Sequence, residues 1–254
     1  MKVRILGCSG GIGAGLRSTS LLIDDDILID AGTGLGDLTL EEMGRIRHIF
    51  VTHSHLDHVC FIPLLIDTIF DLVKEPVIIH GQESTLQALQ SYIFNWVVWP
   101  DFAELPRPES PVLSYRAMRP GEVWENHGRD IEMIAVNHIV PAVAYRVACE
   151  SGSFAFSGDT STNDSLWAAL NAHGQLDLLI VEAAFADHNL ELSKMAKHYC
   201  PSLLAEDMKK LQLDPEIYIS HRKPGEETRI LQECCEQMPS RKLKGLSGGE
   251  VFTL

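Results

Sequence analysis

The sequence predicts an αββα four-layer sandwich, two mixed β-sheets flanked by helices, in the α/β (α+β) class. Two observations carry this. A strand-rich first half gives way to strands alternating with helices, and that pattern then repeats. The 254 residues, 45% of them hydrophobic, suffice for one sizeable core, and no long linker, low-complexity tract or repeat divides them. One domain over residues 1–254 is expected.

The elements follow in order. "KVRILG" reads as a strand, and "STSLLIDDDILIDAG" as a hairpin turning through Asp24–Asp26. "IRHIFVT" is a buried strand that ends just before a histidine cluster. "CFIPLLIDTIFDLV" has helical apolar spacing, with Pro63 tolerated in its first turn. "PVIIHG" is strand and "ESTLQALQSYIFNWV" helix. Three strands lie close together in "DIEMIAVNH", "AVAYRVAC" and "GSFAFSGD". "STNDSLWAALNAHG" is a helix with a polar start and a glycine stop. "LDLLIVEAAF" is strand, "SLLAEDMKKLQL" helix, "EIYISH" strand and "GEETRILQECCEQM" helix. Tyr92, Trp96 and Trp99 share helical spacing, so helical core is the first reading of "YIFNWVVWPDF"; a homodimer patch or an apolar wall for a base are the others.

The formal charge of −14 argues against attraction of a phosphate backbone over the whole surface. A phosphate substrate then needs a local cationic centre, which bound metal would supply. No apolar run reaches the roughly 18 residues that span a bilayer, and "MKVRILGCSGG" has no stretch suited to a signal peptide. The six cysteines form no CxxC pair and read as reduced thiols, so a cytoplasmic protein is expected.

The chemistry concentrates in "THSHLDHV". His53 and His55 alternate on an extended segment and can face one way, while Asp57 and His58 follow where the chain turns into a helix. That offers a histidine pair for one metal and an Asp/His pair for a second. Imidazole with carboxylate suits zinc first, with manganese or iron as the alternatives. Three further strands end in suitable residues, at His138, Asp159 and His221. Together they supply one more histidine for each metal and a carboxylate between them.

With these residues in place the chain resembles the metallo-β-lactamase superfamily. "LIDAG", "THSHLDH", "NH" at 137–138, "SGDT" and "ISH" occur in that family's order and span most of the chain. The resemblance implies the αββα metallo-β-lactamase fold with two divalent metal ions at one edge of the sheets. It implies His53, His55 and His138 on the first, Asp57, His58 and His221 on the second, Asp159 bridging, and Asp30 holding the histidine loop from behind. Two cations about 3.5–4 Å apart make a bridging water a hydroxide near neutral pH and neutralise charge on the reacting centre. Asp57 thus counts among the catalytic residues as well as the ligands.

Further stretches resemble two branches of the family, ribonuclease Z and the class II cyclic-nucleotide phosphodiesterases. These are "LGCSGGIGAGLRSTSLLID", "NHIVPAVAYRV", and "LDLLIVEAAF" with Glu182 followed by "KHYCPSLLAEDMKKL" with His198. "ISHRKPGEE" is closer to the phosphodiesterase ending. The resemblance makes His198 a group that protonates the leaving 3′ oxygen or hydrogen-bonds phosphate, with Glu182 orienting it; Arg222 and Lys223 would steer phosphate. A helix starting beside His198 would lower its pKa and Glu182 would raise it. Lys197 departs from the glycine usual there. Ribonuclease Z grips tRNA with an arm between its third histidine and bridging aspartate, but only about twenty residues separate His138 from Asp159.

Hydrolysis of 3′,5′-cAMP or cGMP to the 5′-monophosphate is therefore the expected reaction, with a small-molecule substrate and without nucleic-acid or membrane partners. The alternatives are a ribonuclease Z-like tRNA 3′ endonuclease, a lactonase or thioesterase, and a non-catalytic nucleotide- or partner-binding protein. His48, His80, His127, His173 and His188 receive no role.

Overall fold

The computed structural model describes residues 1–254. Its strands form where apolar residues run nearly unbroken, because both faces of each sheet are covered. β1 (Lys2–Gly7), β2 (Ser20–Ile23), β3 (Ile27–Ile29), β4 (His48–Phe50), β5 (Val77–Gly81) and β6 (Leu113–Ala117) lie side by side in chain order. The second sheet is also in chain order: β7 (Val123–Asn126), β8 (Arg129–Ala135), β9 (Val143–Cys149), β10 (Gly152–Phe156), β11 (Leu178–Glu182), β12 (Glu216–Ser220) and β13 (Leu243–Gly245). β14 (Val251–Thr253) then returns to the first sheet beside β1. Both sheets are mixed. Antiparallel pairing holds from β1 to β3 and from β7 to β10, and parallel pairing from β3 to β6 and from β10 to β13.

Side-chain alternation sorts the apolar residues into three layers. Leu21 and Ile23 point to the middle layer, where residues of both sheets meet, including Ile5, Phe50, Met133, Tyr145, Phe156 and Ile180. Leu22 points the other way, into the layer under the helices of the first sheet. Those helices are α1 (Leu40–Met43), α2 (Leu56–Val59), α3 (Ile62–Ile69) and α4 (Glu83–Tyr92), and α3 and α4 supply Ile62, Ile66 and Leu86. α5 (Ser165–Ala172), α6 (Leu190–Ala196), α7 (Pro201–Asp207) and α8 (Glu227–Gln237) follow in the second half. Trp167, Leu204 and Ile230 from α5, α7 and α8 cover the outer face of the second sheet. The result is the expected four-layer αββα sandwich. No helix is long and apolar enough to cross a membrane.

One expected element differs. The helix drawn through "ESTLQALQSYIFNWV" stops at Tyr92. The Asn95 side chain accepts bonds from the backbone of Val97 and Val98, a local turn that competes with helix, and Trp96 takes a left-handed φ of 63°. Phe94 and Phe102 are buried and Trp99 packs against the same layer, but Tyr92, Trp96, Val97 and Val98 face solvent. The aromatic stretch is thus not a helical core stripe.

His80, on β5, is fully buried between the sheets, stacked on Phe50 at 4.3 Å, with its Nε2 3.1 Å from His48 Nδ1. Burial, aided by the charges of His48 and Arg116, depresses its pKa to about 3. A buried neutral histidine takes up its proton on unfolding, so its contribution is present above the unfolded pKa near 6.5 and declines as pH falls towards 3. Replacing His80 with phenylalanine should therefore spare the fold about 2 kcal/mol of the stability that the native protein loses between pH 7 and pH 5. Urea unfolding of both proteins at the two pH values checks this; equal losses would show that His80 is not the acid-sensitive group.

Candidate metal centre

β8, β10, β11 and β12 all run in one direction, so their C-terminal ends gather at one edge. His138, Asp159, Glu182 and His221 lie at those ends or within three residues of them. From the first sheet, β4 delivers the chain to His53, and β3 to Asp30. His55 sits in extended backbone as the N-cap of α2, whose first turns carry Asp57 and His58. Two glycines allow the close packing behind this edge. A Cβ on Gly10 would lie 2.3 Å from the His221 carbonyl oxygen, and one on Gly32 2.2 Å from that of Asp57.

The seven residues meet in two groups. His53, His55, His138 and Asp159 have their donor atoms within 4.8 Å of one another, as do Asp57, His58, His221 and Asp159. Asp159 belongs to both. Its Oδ1 lies 3.3 Å from His58 Nε2 and 3.3 Å from His221 Nδ1, and its Oδ2 lies 3.6 Å from His53 Nε2. Asp57 is at the solvent side, its Oδ2 3.8 Å from ring nitrogens of His58 and His221.

The donors suit a cation. His53 Nε2, His58 Nε2, His221 Nδ1 and Asp159 Oδ1 are buried without any hydrogen-bond partner. Four orphaned polar atoms pointing at one another would be costly unless a cation joined them. Burial holds the pKa of His53 well below its usual value and that of His138 down to about 4, so both offer neutral lone pairs. Burial opposes ionisation of Asp159, but His221 and His58 hold its carboxyl well below the usual range. Burial likewise disfavours charge on His58, yet Asp159 and Asp30 on either side raise its pKa well above normal. A metal bound by His58 would take the place of that proton.

The opposite ring nitrogens are held from behind, which fixes the tautomers. His58 Nδ1 donates to Asp30 at 2.7 Å, and His138 Nδ1 donates to the Lys197 carbonyl at 2.9 Å. Asp30 is fully buried in a left-handed conformation, φ 56°, and accepts from both the backbone and the hydroxyl of Thr52 at 2.8 Å. Thr52 Oγ1 also lies 3.0 Å from His53 Nδ1. Thr52 was missed as a site residue, although it heads "THSHLDHV".

Asp159, Glu182 and His198 form a third close group, but Glu182 has no lone pair to spare for a metal. Its Oε1 accepts from Thr160 N and from His198 Nδ1 at 2.7 Å, and its Oε2 from the backbones of Ala184 and Tyr199. Fully buried and saturated, Glu182 fixes the His198 ring, which stacks on His221 at 5.4 Å. His198 does not start a helix: α7 begins at Pro201, and His198 lies in the link from α6. Burial disfavours its charge, but Glu182 outweighs burial and raises its pKa.

Lys197 closes α6 with φ 53° and ψ 52°, the conformation that glycine adopts at no steric cost. The departure from glycine leaves the backbone path intact, since the Lys197 carbonyl still meets His138. Substituting glycine for Lys197 should stabilise the protein by about 1 kcal/mol without changing metal content, as measured by urea unfolding and elemental analysis. Loss of stability would show that the lysine side chain makes a compensating contact.

The two cations named beside His221 differ. Arg222 spends its guanidinium on the carbonyls of Leu246 at 2.8 Å and Glu227 at 3.1 Å. Lys223 Nζ is bound to the Gly10 carbonyl at 2.6 Å, 5.9 Å from the centre of the Phe185 ring. Phe185 in turn meets His198 edge-on.

Comparison with known proteins gives the family and the fold. A family model described as a Beta-lactamase superfamily domain matches residues 25–221. A probable 3′,5′-cyclic-nucleotide phosphodiesterase of Yersinia pestis is 28% identical over 277 aligned positions, covering 88% of this chain and 78% of that protein. Ribonuclease Z of Haloarcula marismortui is 26% identical over 259 positions, covering 78% of each. In fold, the crystal structure of unliganded yeast PDE1 superimposes with a TM-score of 0.82 at 17% identity, over 100% of this chain and 99% of that one. Such a fold, with His/Asp clusters at the sheet edge, implies divalent-metal binding. Matched over most of its length, the chain belongs to the β-lactamase superfamily, as a hydrolase with the metallo-β-lactamase fold.

Proposed function

We propose that residues 1–254 form one two-metal phosphodiesterase domain that hydrolyses a 3′,5′-cyclic nucleotide, cAMP or cGMP, to its 5′-monophosphate. The observation that carries this reading is the shared carboxylate of Asp159, flanked by buried histidine nitrogens that bond to nothing else. His53, His55 and His138 would hold one ion and Asp57, His58 and His221 the other, with Asp159 common to both and zinc the first choice of metal. Two such ions would lower the pKa of a water held between them and neutralise charge gathering on a phosphate.

The remaining work falls to the chain. Asp57, the partly exposed carboxylate of its group, faces the approach and orients the attacking water. Glu182 holds His198 Nδ1, so a proton on Nε2 is available to the departing 3′ oxygen. Lys223 can draw the phosphate towards the glycine turn that it touches. Arg222 instead ties its strand end to the carbonyls of Glu227 and Leu246. Asp30 and Thr52 keep His58 and His53 from rotating.

A small substrate is supported by the segment between His138 and Asp159. It is filled by β9 and β10 with a tight turn at Glu150 and Ser151, without the long arm that gripping tRNA would need there. The likeness to ribonuclease Z keeps tRNA processing as the second reading. Metal-reconstituted protein offered cAMP, cGMP, 2′,3′-cyclic nucleotides, a lactone, a thioester and a tRNA precursor separates these. Release of 5′-monophosphate from cAMP or cGMP is expected. Cleavage of tRNA 3′ ends with no cyclic-nucleotide turnover would reverse the assignment.

A further inference from the structure

Building on the cyclic-nucleotide reading, we propose that the nucleobase lies in the cavity beside Asp57, and that the ion pair of Arg17 and Asp37 selects guanine there. The cavity has a volume of about 690 Å³, with Ile12, Leu16 and Phe61 as its apolar lining and Arg17, Thr33 and Asp37 as polar groups. Both of its walls continue into the second metal group. Gly10, two residues before Ile12, packs on the His221 backbone, and Gly32, before Thr33, packs on that of Asp57. Phe61 lies four residues after Asp57, about 6 Å further along if the helical rise continues. A phosphate held by the metal group would place its base over these residues.

The lining suits a flat heterocycle. Phe61 offers a ring, and Ile12, 72% exposed, offers an alkyl surface that nothing in the chain covers. At the rim Arg17 Nε meets Asp37 at 3.1 and 3.3 Å, with both side chains substantially exposed. Neither Arg17 Nη2 nor the remaining lone pairs of Asp37 have a partner in the chain. Guanine presents O6 beside two donors, N1–H and the N2 amine. A carboxylate can accept from both donors while the neighbouring guanidinium donates to O6. Adenine offers a single donor group on the same edge, so it forms a poorer match. An adjoining cavity shares Leu16, Arg17 and Asp37 and is otherwise lined by Cys8, Arg222 and Glu227 among others, but it has neither Phe61 nor Ile12 to cover a base.

Titration calorimetry with the 5′-monophosphates of guanosine and adenosine, alongside kcat/KM for cGMP and cAMP, tests this on metal-reconstituted protein. Guanine should be favoured by roughly 5- to 150-fold in both measurements. Asp37→Asn should remove most of that preference by weakening the guanine ligands alone, and Ile12→Ser should weaken both bases alike. Equal binding of the two monophosphates, or an Asp37→Asn effect of the same size on each, overturns the subsite. If neither cyclic nucleotide is hydrolysed, the phosphodiesterase reading fails. The calorimetric arm still decides the subsite: guanine preference that disappears in Asp37→Asn upholds it, and no preference overturns it.

Discussion

Replacing Asp159 with alanine will lower kcat/KM for a cyclic nucleotide by about 10³-fold or more, because the proposed two-metal clamp would supply several kcal/mol and this carboxylate is common to both donor groups. The geometry explains why no neighbour substitutes for it. Three histidines, His53 beyond β4, His58 on α2 and His221 just past β12, converge on its two oxygens at 3.3–3.6 Å. The Asp159 carboxyl is held well below the usual range, so it is ionised throughout the neutral region and the loss is one of charge. Metal content should fall below that of the native protein while circular dichroism stays unchanged. Asp159→Asn, which keeps the shape without the charge, should lose nearly as much. An asparagine variant with native metal content and turnover would show that Asp159 only packs the histidines.

Replacing His198 with alanine should act differently: metal content and fold stay, and kcat falls by about 10²–10⁴-fold, the usual range for a general acid. The basis is positional. All of the Glu182 bonding capacity goes to backbone N–H groups and to His198 Nδ1, so the ring has one orientation, beside His138 and His221. Bis-p-nitrophenyl phosphate should suffer much less than a cyclic nucleotide, since p-nitrophenolate departs without a proton. If both substrates fall equally, His198 positions phosphate; if neither falls, it has no part in the reaction.

Much of the site was legible because its donors follow strands that announce themselves. "IRHIFVT" before His53, "SFAFS" before Asp159 and "EIYIS" before His221 are apolar runs buried on both faces, and residues just past their ends reach one sheet edge. The unread elements lack that signal. β6 and β7 are edge strands with mixed polarity, "LSYRA" and "VWEN", where one side of the ladder is unpaired and charge is tolerated. α6 buries only Ser193, so no apolar stripe marks it, and its absence from the reading made His198 look like a helix start. Thr52 was invisible as a site residue because its role depends on Asp30, brought beside it by the pairing of β3 with β4. Arg222 looked available for phosphate because its partners, the carbonyls of Leu246 and Glu227, are backbone groups that carry no mark in the sequence.

Whether this edge of the sandwich holds two ions is decided by metal titration of the metal-free protein, with elemental analysis of the product after removal of excess. Two groups sharing Asp159 predict binding that saturates at two divalent ions per chain, with His55→Ala impairing one and His58→Ala the other. Saturation at one ion, or no binding by a chain that remains folded, would contradict the two-metal centre.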